Sequence, residues 1–151
     1  MESTTFKLIV TDSLTNLSNR NLIEVFAFVV MPNHIHLIWR LNKLNGKELP
    51  SSSLLKFTSH QFKKILPASK LPRYYVDAPN KTYEFWQRDS LAIELYSPEV
   101  IYQKLDYTHN NPLDERWNLV NNPIDYEFSS AAFYENEISP FRFLKHIGNE
   151  L

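Results

Sequence analysis

Two histidines separated by a single residue are the first feature of this 151-residue chain that can do chemistry. They are His34 and His36, in the segment Met31-Pro-Asn-His-Ile-His-Leu-Ile-Trp39. On a strand, residues two apart point to the same face, so both imidazoles would lie on one side while Ile35 packs into the core. Two converging ring nitrogens can hold a divalent cation. The alternative is two hydrogen-bonded histidines on a sheet surface that bind no metal. The pair alone does not decide between a metal site and this alternative.

A tyrosine and an asparagine form a second candidate pair, in the segment Tyr107-Thr-His-Asn-Asn-Pro112. Tyr107 and Asn111 are four residues apart and are therefore neighbours on one face of a helix, with Gln103 one turn earlier. A phenol and an amide oxygen are thus presented together. Because asparagine disfavours helix interiors, two of them before Pro112 also fit a simple helix stop.

The two pairs together are sufficient for a metal-assisted attack on a phosphodiester. His34, His36 and the Asn111 oxygen can hold Mg²⁺ or Mn²⁺ with positions left open, and such an ion polarises a phosphodiester oxygen. Tyr107 then becomes the nucleophile. A phenol has a reference pKa of about 10, so it needs a cation's field or a base to react at neutral pH. The product is a phosphotyrosine, which a later hydroxyl can resolve by strand transfer instead of hydrolysis.

Hydrophobic patterning predicts the elements that would position the histidines. Apolar residues recur at three- and four-residue steps over Phe6–Leu17, which predicts an amphipathic helix. Two bounded runs rich in β-branched and aromatic residues, Val25–Val30 and His34–Trp39, flank the turn residues Pro32 and Asn33. The sequence therefore predicts a β-hairpin with the histidine pair at the start of its second strand.

The rest of the chain contains two further helices and one further strand by the same criteria. Leu54–Leu66 has an apolar helical face and follows a polar loop whose serines suit the N-cap. We expect a strand over Tyr83–Leu95. Ser97, a proline and an acidic residue then form a typical helix start, and Pro112 ends that helix. The C-terminal part is aromatic and partly irregular.

Composition and charge exclude several classes of function. The chain has 43% hydrophobic residues and no cysteine, so it can bury a core but cannot use disulfides or thiolate chemistry. With only two glycines it has no glycine-rich phosphate loop. The longest apolar run, Val25–Met31, is far short of the roughly 20 residues that span a bilayer. We expect one domain over residues 1–151, located in the cytoplasm and without membrane contact.

A local excess of positive charge is hidden by the net charge of −1. No acidic residue occurs between Leu49 and Val76, whereas five basic ones do. A solvated helix face is the simplest interpretation of this stretch. A surface that contacts phosphates is the functional alternative. The five basic residues are Lys56, Lys63, Lys64, Lys70 and Arg73.

The candidate residues occur in motifs that resemble the single-tyrosine HUH transposases, especially the REP-associated tyrosine transposases and related insertion-sequence enzymes. The resemblance runs from about residue 25 to residue 134, through MPNHIHLIW, KFTSHQFKK, FWQRD, KLDYTHNNPL and DYEFSSAAFYE. It implies a ferredoxin-like (RRM-like) α+β fold of the HUH endonuclease type, an antiparallel sheet with helices on one face. His34 and His36 match the metal ligands, Tyr107 matches the nucleophile, and Asn111 matches the third ligand.

The resemblance also implies a reaction and a substrate. Family members cut and rejoin single-stranded DNA beside imperfect hairpins, joining a 5′ phosphate to the tyrosine and leaving a 3′ hydroxyl. This implies DNA transposition in a bacterial cytoplasm. Backbone charge supplies most of the affinity for single strands, and aromatic side chains stack on bases. The candidates for phosphate contacts are Lys56, Lys63, Lys64 and Arg73; Tyr83 and Trp86 are candidates for stacking, although both also suit a core position.

The start of the chain departs from the family pattern. Family members usually open with a strand before the first helix, whereas here a helix-like segment begins almost at once. A misassigned start, a shortened variant, or a decayed copy whose sheet edge is filled by a partner chain would each explain it. Three functions therefore stay open: a metal-dependent strand transferase, a catalytically decayed or domesticated hairpin-DNA-binding protein, and a metal phosphodiesterase that uses water. A homodimer is compatible with all three.

Overall fold

The computed structural model describes residues 4–78, 81–83, 94–95 and 97–151. Its helices and antiparallel strands confirm the predicted α+β class. Within the described residues no helix is long and apolar enough to cross a membrane. The elements are α1 (Thr4–Asn19), β1 (Ile23–Val30), β2 (Ile35–Leu41), α2 (Pro50–Ile65), β3 (Tyr75–Ala78), β4 (Lys81–Tyr83), α3 (Pro98–Asn110) and α4 (Ala131–Asn136).

The predicted hairpin is confirmed as an antiparallel pair of β1 and β2. Val30 lies opposite Ile35, and Val29 lies opposite His36. The Met31 amide donates to the His34 carbonyl at 2.8 Å, which closes the turn. The register shifts at Phe26, and such a bulge bends and twists a strand locally. The described strands form two separate two-stranded ladders, β1 with β2 and β3 with β4.

Helices cover both faces of the hairpin, and the expectation that they lie on one face is wrong. Side chains alternate along β2, so Leu37 joins the core built by α1 and α2, whereas Ile38 joins a second cluster with Leu105 of α3. Strand β1 explains why helices pack on both faces, because seven of its eight residues are buried. A strand that is apolar on both faces needs cover on both.

The outer edge of β1 is closed by the C-terminal part of the same chain. The Val30 amide donates to the Phe128 carbonyl at 2.8 Å, and the Ser130 amide donates to the Phe28 carbonyl at 3.0 Å. Further along, the Lys145 amide donates to the Val25 carbonyl at 3.0 Å. No partner chain is needed at this edge. Among the described residues, β2 pairs with β1 alone.

Helices α1 and α2 pack together against one face, with the rings of Phe6 and Phe62 4.9 Å apart. Helix α1 includes the whole segment Phe6–Leu17 that the sequence predicts as helical. Helix α2 begins earlier than predicted, at Pro50, and the expected serine N-cap is wrong: Leu49 holds the cap position without a side-chain hydrogen bond. A proline favours the first helical position because its φ is preset and its missing amide hydrogen is not needed there.

Helix α3 begins and ends where the sequence predicts. The Ser97 side chain caps it by accepting from the Val100 amide at 3.3 Å, and Pro98 occupies the first turn. The helix ends at Asn110, and residues 111–113 form one tight 3₁₀ turn that includes Pro112. Of the strand expected over Tyr83–Leu95, residues 84–93 lie outside the described part of the chain, so Trp86 and the FWQRD motif do as well.

Candidate active site

The two histidines lie together on the face of the hairpin that α3 covers. His34 immediately precedes β2 and His36 lies within it, while Ile35 and Leu37 pack into the other core cluster, as the alternation predicts. The two imidazole rings are 5.0 Å apart between centroids and nearly perpendicular. Both rings are partly exposed. The hairpin thus presents two imidazoles to one point of the surface.

Helix α3 brings Tyr107 to this pair. The Tyr107 ring is 5.5 Å from the ring of His36 between centroids and meets it edge to face. The tyrosine is 59% exposed, so most of the residue is open to a large substrate. Leu105 and Thr108, on the opposite side of the helix, are buried and hold it on the sheet. The predicted neighbourhood of phenol and histidines is therefore present.

The tight turn after α3 brings Asn111 to His34. The Asn111 side-chain oxygen Oδ1 is 3.3 Å from Nε2 of His34, across 77 residues of sequence. Asn111 is only 9% exposed, unlike a helix-stop residue whose amide points into solvent. The structure therefore brings together all four predicted residues of the chemical site: His34, His36, Tyr107 and Asn111.

The contact between His34 and Asn111 depends on which ring nitrogen of His34 carries the proton. On its other side, His34 Nδ1 is 2.6 Å from Oδ1 of Asn33. Both amide oxygens only accept hydrogen bonds, and a neutral imidazole has a single ring proton. In the tautomer with the proton on Nδ1, the lone pair of Nε2 faces the Asn111 oxygen, an arrangement that suits a cation between them.

The distance between these two atoms also fits two ligands of one ion. Ligands at the Mg²⁺ distance of about 2.0–2.1 Å and at right angles are about 3 Å apart. The donor set is two imidazoles and one amide oxygen, and among the described residues no group of three or more His, Cys, Asp and Glu side chains converges. Oxygen ligands suit Mg²⁺ and Mn²⁺, whereas imidazole suits Zn²⁺, Cu²⁺, Fe²⁺ and Ni²⁺, so this mixed set is compatible with ions of either group.

The electrostatics of His36 keep it able to bind a metal. Burial lowers the pKa of His36, and the neighbouring His34 lowers that pKa further. Its imidazole is therefore neutral at pH 7 and keeps a lone pair on one ring nitrogen. A neutral ring is the form that ligates metals.

Three residues at the site were not predicted from the sequence. Asn33 contacts His34, as described above. The Trp117 ring lies 5.8 Å from the His34 ring, and the Lys104 ammonium lies 6.0 Å from the centre of the Tyr107 ring. Lys104 is one turn before Tyr107, so helix periodicity could have identified it. Trp117 follows the turn after α3, and no local pattern predicts its return to the hairpin.

The predicted phosphate contacts lie on other elements. Lys56, Lys63 and Lys64 belong to α2, which packs on α1, and Arg73 lies in a 3₁₀ turn over Leu71–Tyr74. All four side chains are exposed. The Lys56 ammonium is ion-paired with Glu48, so part of its charge is already neutralised.

Comparison with protein-family models, with curated proteins and with solved structures found no match for this chain.

Proposed function

We propose that this protein is a metal-dependent transesterase that cleaves and rejoins single-stranded DNA through a 5′-phosphotyrosine intermediate at Tyr107. The observation that supports it best is the group of four side chains around His34. There Nε2 of His34 lies 3.3 Å from the Asn111 oxygen, and the ring of the exposed Tyr107 lies 5.5 Å from the ring of His36. The proposal includes a ferredoxin-like antiparallel sheet of the HUH endonuclease type for the whole domain, with α3 packed on the face opposite to α1 and α2.

In this proposal His34, His36 and Asn111 hold Mg²⁺ or Mn²⁺. The ion would supply Lewis-acid polarisation of a phosphodiester oxygen. The chain's own contribution is to orient the three ligands from two elements, the hairpin and the end of α3. The burial that keeps His36 neutral and the contact of Asn33 with His34 prepare both imidazoles for this role.

The covalent step is a transesterification at phosphorus. The Tyr107 oxygen attacks, a bond forms between it and phosphorus, and the bond from phosphorus to the 3′ oxygen breaks. The phenolic proton leaves to solvent, and the departing 3′ oxygen takes up a proton, so that a 5′-phosphotyrosine and a free 3′ hydroxyl result. A 3′ hydroxyl that attacks the phosphotyrosine reverses the step and rejoins a strand. Since no water is consumed, phosphodiester energy is conserved.

The surroundings of Tyr107 favour a polymer with accessible backbone as the substrate. Tyr107 is more than half exposed on the surface of α3. The Lys104 ammonium beside its ring adds positive charge where a phosphate would lie. The resemblance to REP-associated transposases implies hairpin DNA as the target, transposition in a bacterial cytoplasm as the setting, and a homodimer as an assembly consistent with both.

The test is a covalent-adduct assay with a matched tyrosine control. The protein is incubated with single-stranded oligonucleotides from the DNA flanking its own gene, with Mn²⁺ or Mg²⁺, and resolved on a denaturing gel. We expect a slower, metal-dependent protein–DNA band. Tyr107→Phe should abolish the band and leave DNA binding within about twofold, because only the hydroxyl is lost. Tyr102→Phe changes another exposed tyrosine of the same helix and should keep the band.

Two outcomes would select the alternative functions. Salt-dependent DNA binding with no adduct under either metal would favour a decayed or domesticated hairpin-binding protein. Strand cleavage that survives Tyr107→Phe would favour a phosphodiesterase in which water attacks.

A further inference from the structure

Asn33 holds one ring nitrogen of His34 from the hairpin turn. Its side-chain oxygen Oδ1 is 2.6 Å from Nδ1 of His34, a little shorter than an ordinary N–H···O hydrogen bond of about 2.7–3.2 Å. Asn33 and Asn111 each offer His34 an oxygen that can only accept, and the shorter of the two contacts, at Nδ1, favours the ring proton there. The partner of a histidine nitrogen determines which nitrogen is protonated.

This proton position decides which atom of His34 can bind a metal. Nε2 is the nitrogen that faces Asn111, at 3.3 Å. In water a neutral histidine prefers the opposite tautomer, with the proton on Nε2, which would block that atom as a ligand. A neighbouring acceptor at Nδ1 reverses the preference.

We propose that Asn33 is a positioning residue that selects the Nδ1-protonated tautomer of His34 and so directs Nε2 toward the metal. The inference rests on the proposed function, because it assigns a role at the same site. Residues that accept a proton from the second nitrogen of a metal-bound histidine fix its tautomer and orientation in this way. The rings of His36 and Trp117, 5.0 and 5.8 Å away, confine the imidazole from other sides.

The turn itself does not need the Asn33 side chain. It is closed by the backbone hydrogen bond from Met31 to His34, and the Asn33 side chain is exposed. Among the described non-glycine residues, positive φ angles occur at Asn21, Asn118 and Glu137, so alanine at position 33 meets no left-handed strain. A change at this position therefore tests the contact with His34 and not the hairpin.

The decisive measurement is the pair of ¹⁵N chemical shifts of the His34 ring in metal-free protein, at a pH where the ring is neutral. We expect the proton on Nδ1 in the wild-type protein and in Asn33→Asp, which keeps an acceptor oxygen. In Asn33→Ala the proton should move largely to Nε2. Asn121→Ala, which changes an exposed loop asparagine, should leave the shifts unchanged.

A second measurement follows Mn²⁺ binding to the same proteins by electron paramagnetic resonance. Asn33→Ala should weaken Mn²⁺ binding about tenfold, the lower end of the effect of such outer-shell partners. Asn33→Asp should restore it.

The outcomes separate this inference from the proposed function. A wild-type His34 protonated on Nε2, or a tautomer unchanged in Asn33→Ala, would overturn the role of Asn33 even if the protein forms adducts. A changed tautomer with unchanged Mn²⁺ affinity would overturn its link to the metal. If the wild type carries the proton on Nδ1 but binds no Mn²⁺, the proposed function fails, and with it the metal role of Asn33.

Discussion

Asn111 separates two interpretations of one motif, because a helix stop and a metal ligand make different demands on its side chain. A helix stop requires only that the backbone leave the helix, and Pro112 already ensures that. A ligand requires the side-chain oxygen to face the histidines, and this oxygen is the atom 3.3 Å from His34. The adjacent Asn110 shares the sequence context but is exposed and makes no such contact. The two asparagines therefore form a natural comparison.

We predict that Asn111→Ala weakens Mn²⁺ binding at least tenfold, about 1.4 kcal/mol, while Asn110→Ala has no measurable effect. The reason is that only Asn111 offers an oxygen to the ion. Alanine suits the helical backbone angles at position 111, so the fold should persist, which circular dichroism can check. Isothermal titration with Mn²⁺ measures the affinity. Equal effects of the two variants would support the helix-stop interpretation instead.

At the scale of elements, the histidines and the basic residues belong to different packing units. Helix α3 packs with Phe26, Ala27 and Ile38 on one face of the hairpin, whereas α2 joins α1 on the other. A DNA strand that is cut at Tyr107 must therefore extend beyond α3 before its phosphates can contact α2. Within α2 the lysines also differ, since Lys56 is paired with Glu48.

We predict that Lys64→Ala lowers the salt dependence of single-strand binding more than Lys56→Ala does. Each lost phosphate contact reduces the slope of log K against log salt concentration by about 0.7 for single strands. Lys64→Ala should show most of that reduction in slope, because Lys56 must first break its ion pair with Glu48 before it can contact a phosphate. Fluorescence anisotropy at several salt concentrations measures the slope. An unchanged slope in both variants would remove α2 from the DNA surface.

Local patterns were enough to predict the hairpin, α3 and the two pairs of candidate residues that the structure brings together. Period-two alternation places His34 and His36 on one face, and the spacing of four places Tyr107 beside Asn111 on a helix. What could not be predicted depends on contacts far apart in sequence. The closure of β1 by residues 128–130 and 144–145, and the approach of Trp117 to His34, have no local signature. The packing of other elements on both faces of β1 could have been predicted from the sequence, since Val25–Val30 is apolar throughout.

For the molecule as a whole, β1 is the centre, and a buried polar network ties three parts of the chain to it. Ser130 is fully buried, and its hydroxyl oxygen accepts from the Phe28 amide at 3.0 Å. His109 of α3 contacts the same hydroxyl through Nε2 at 2.7 Å. Tyr134 of α4 donates to the Phe26 carbonyl at 2.7 Å, and its burial raises its pKa. The network joins the helix that carries Tyr107 to the strand beside the histidines.

His109 makes the stability of this assembly depend on pH. Burial lowers the pKa of His109 to about 4, whereas an unfolded histidine titrates near 6.5. Between these values the unfolded chain binds more protons than the folded one, so stability is fully present above pH 6.5 and is lost as the pH falls toward 4. The difference in pKa corresponds to about 3 kcal/mol of unfolding free energy. Urea unfolding at a series of pH values measures it.

The matched variant for this prediction is His109→Gln, which can keep a hydrogen bond to Ser130 but does not titrate. Its stability should fall less steeply between pH 6.5 and 4, even if it is lower at pH 7. His36, whose pKa burial also lowers, is present in both proteins, so the difference between the two curves isolates His109. Parallel curves would mean that His109 is not held neutral in the folded protein. The link between α3 and β1 would then not depend on a neutral imidazole.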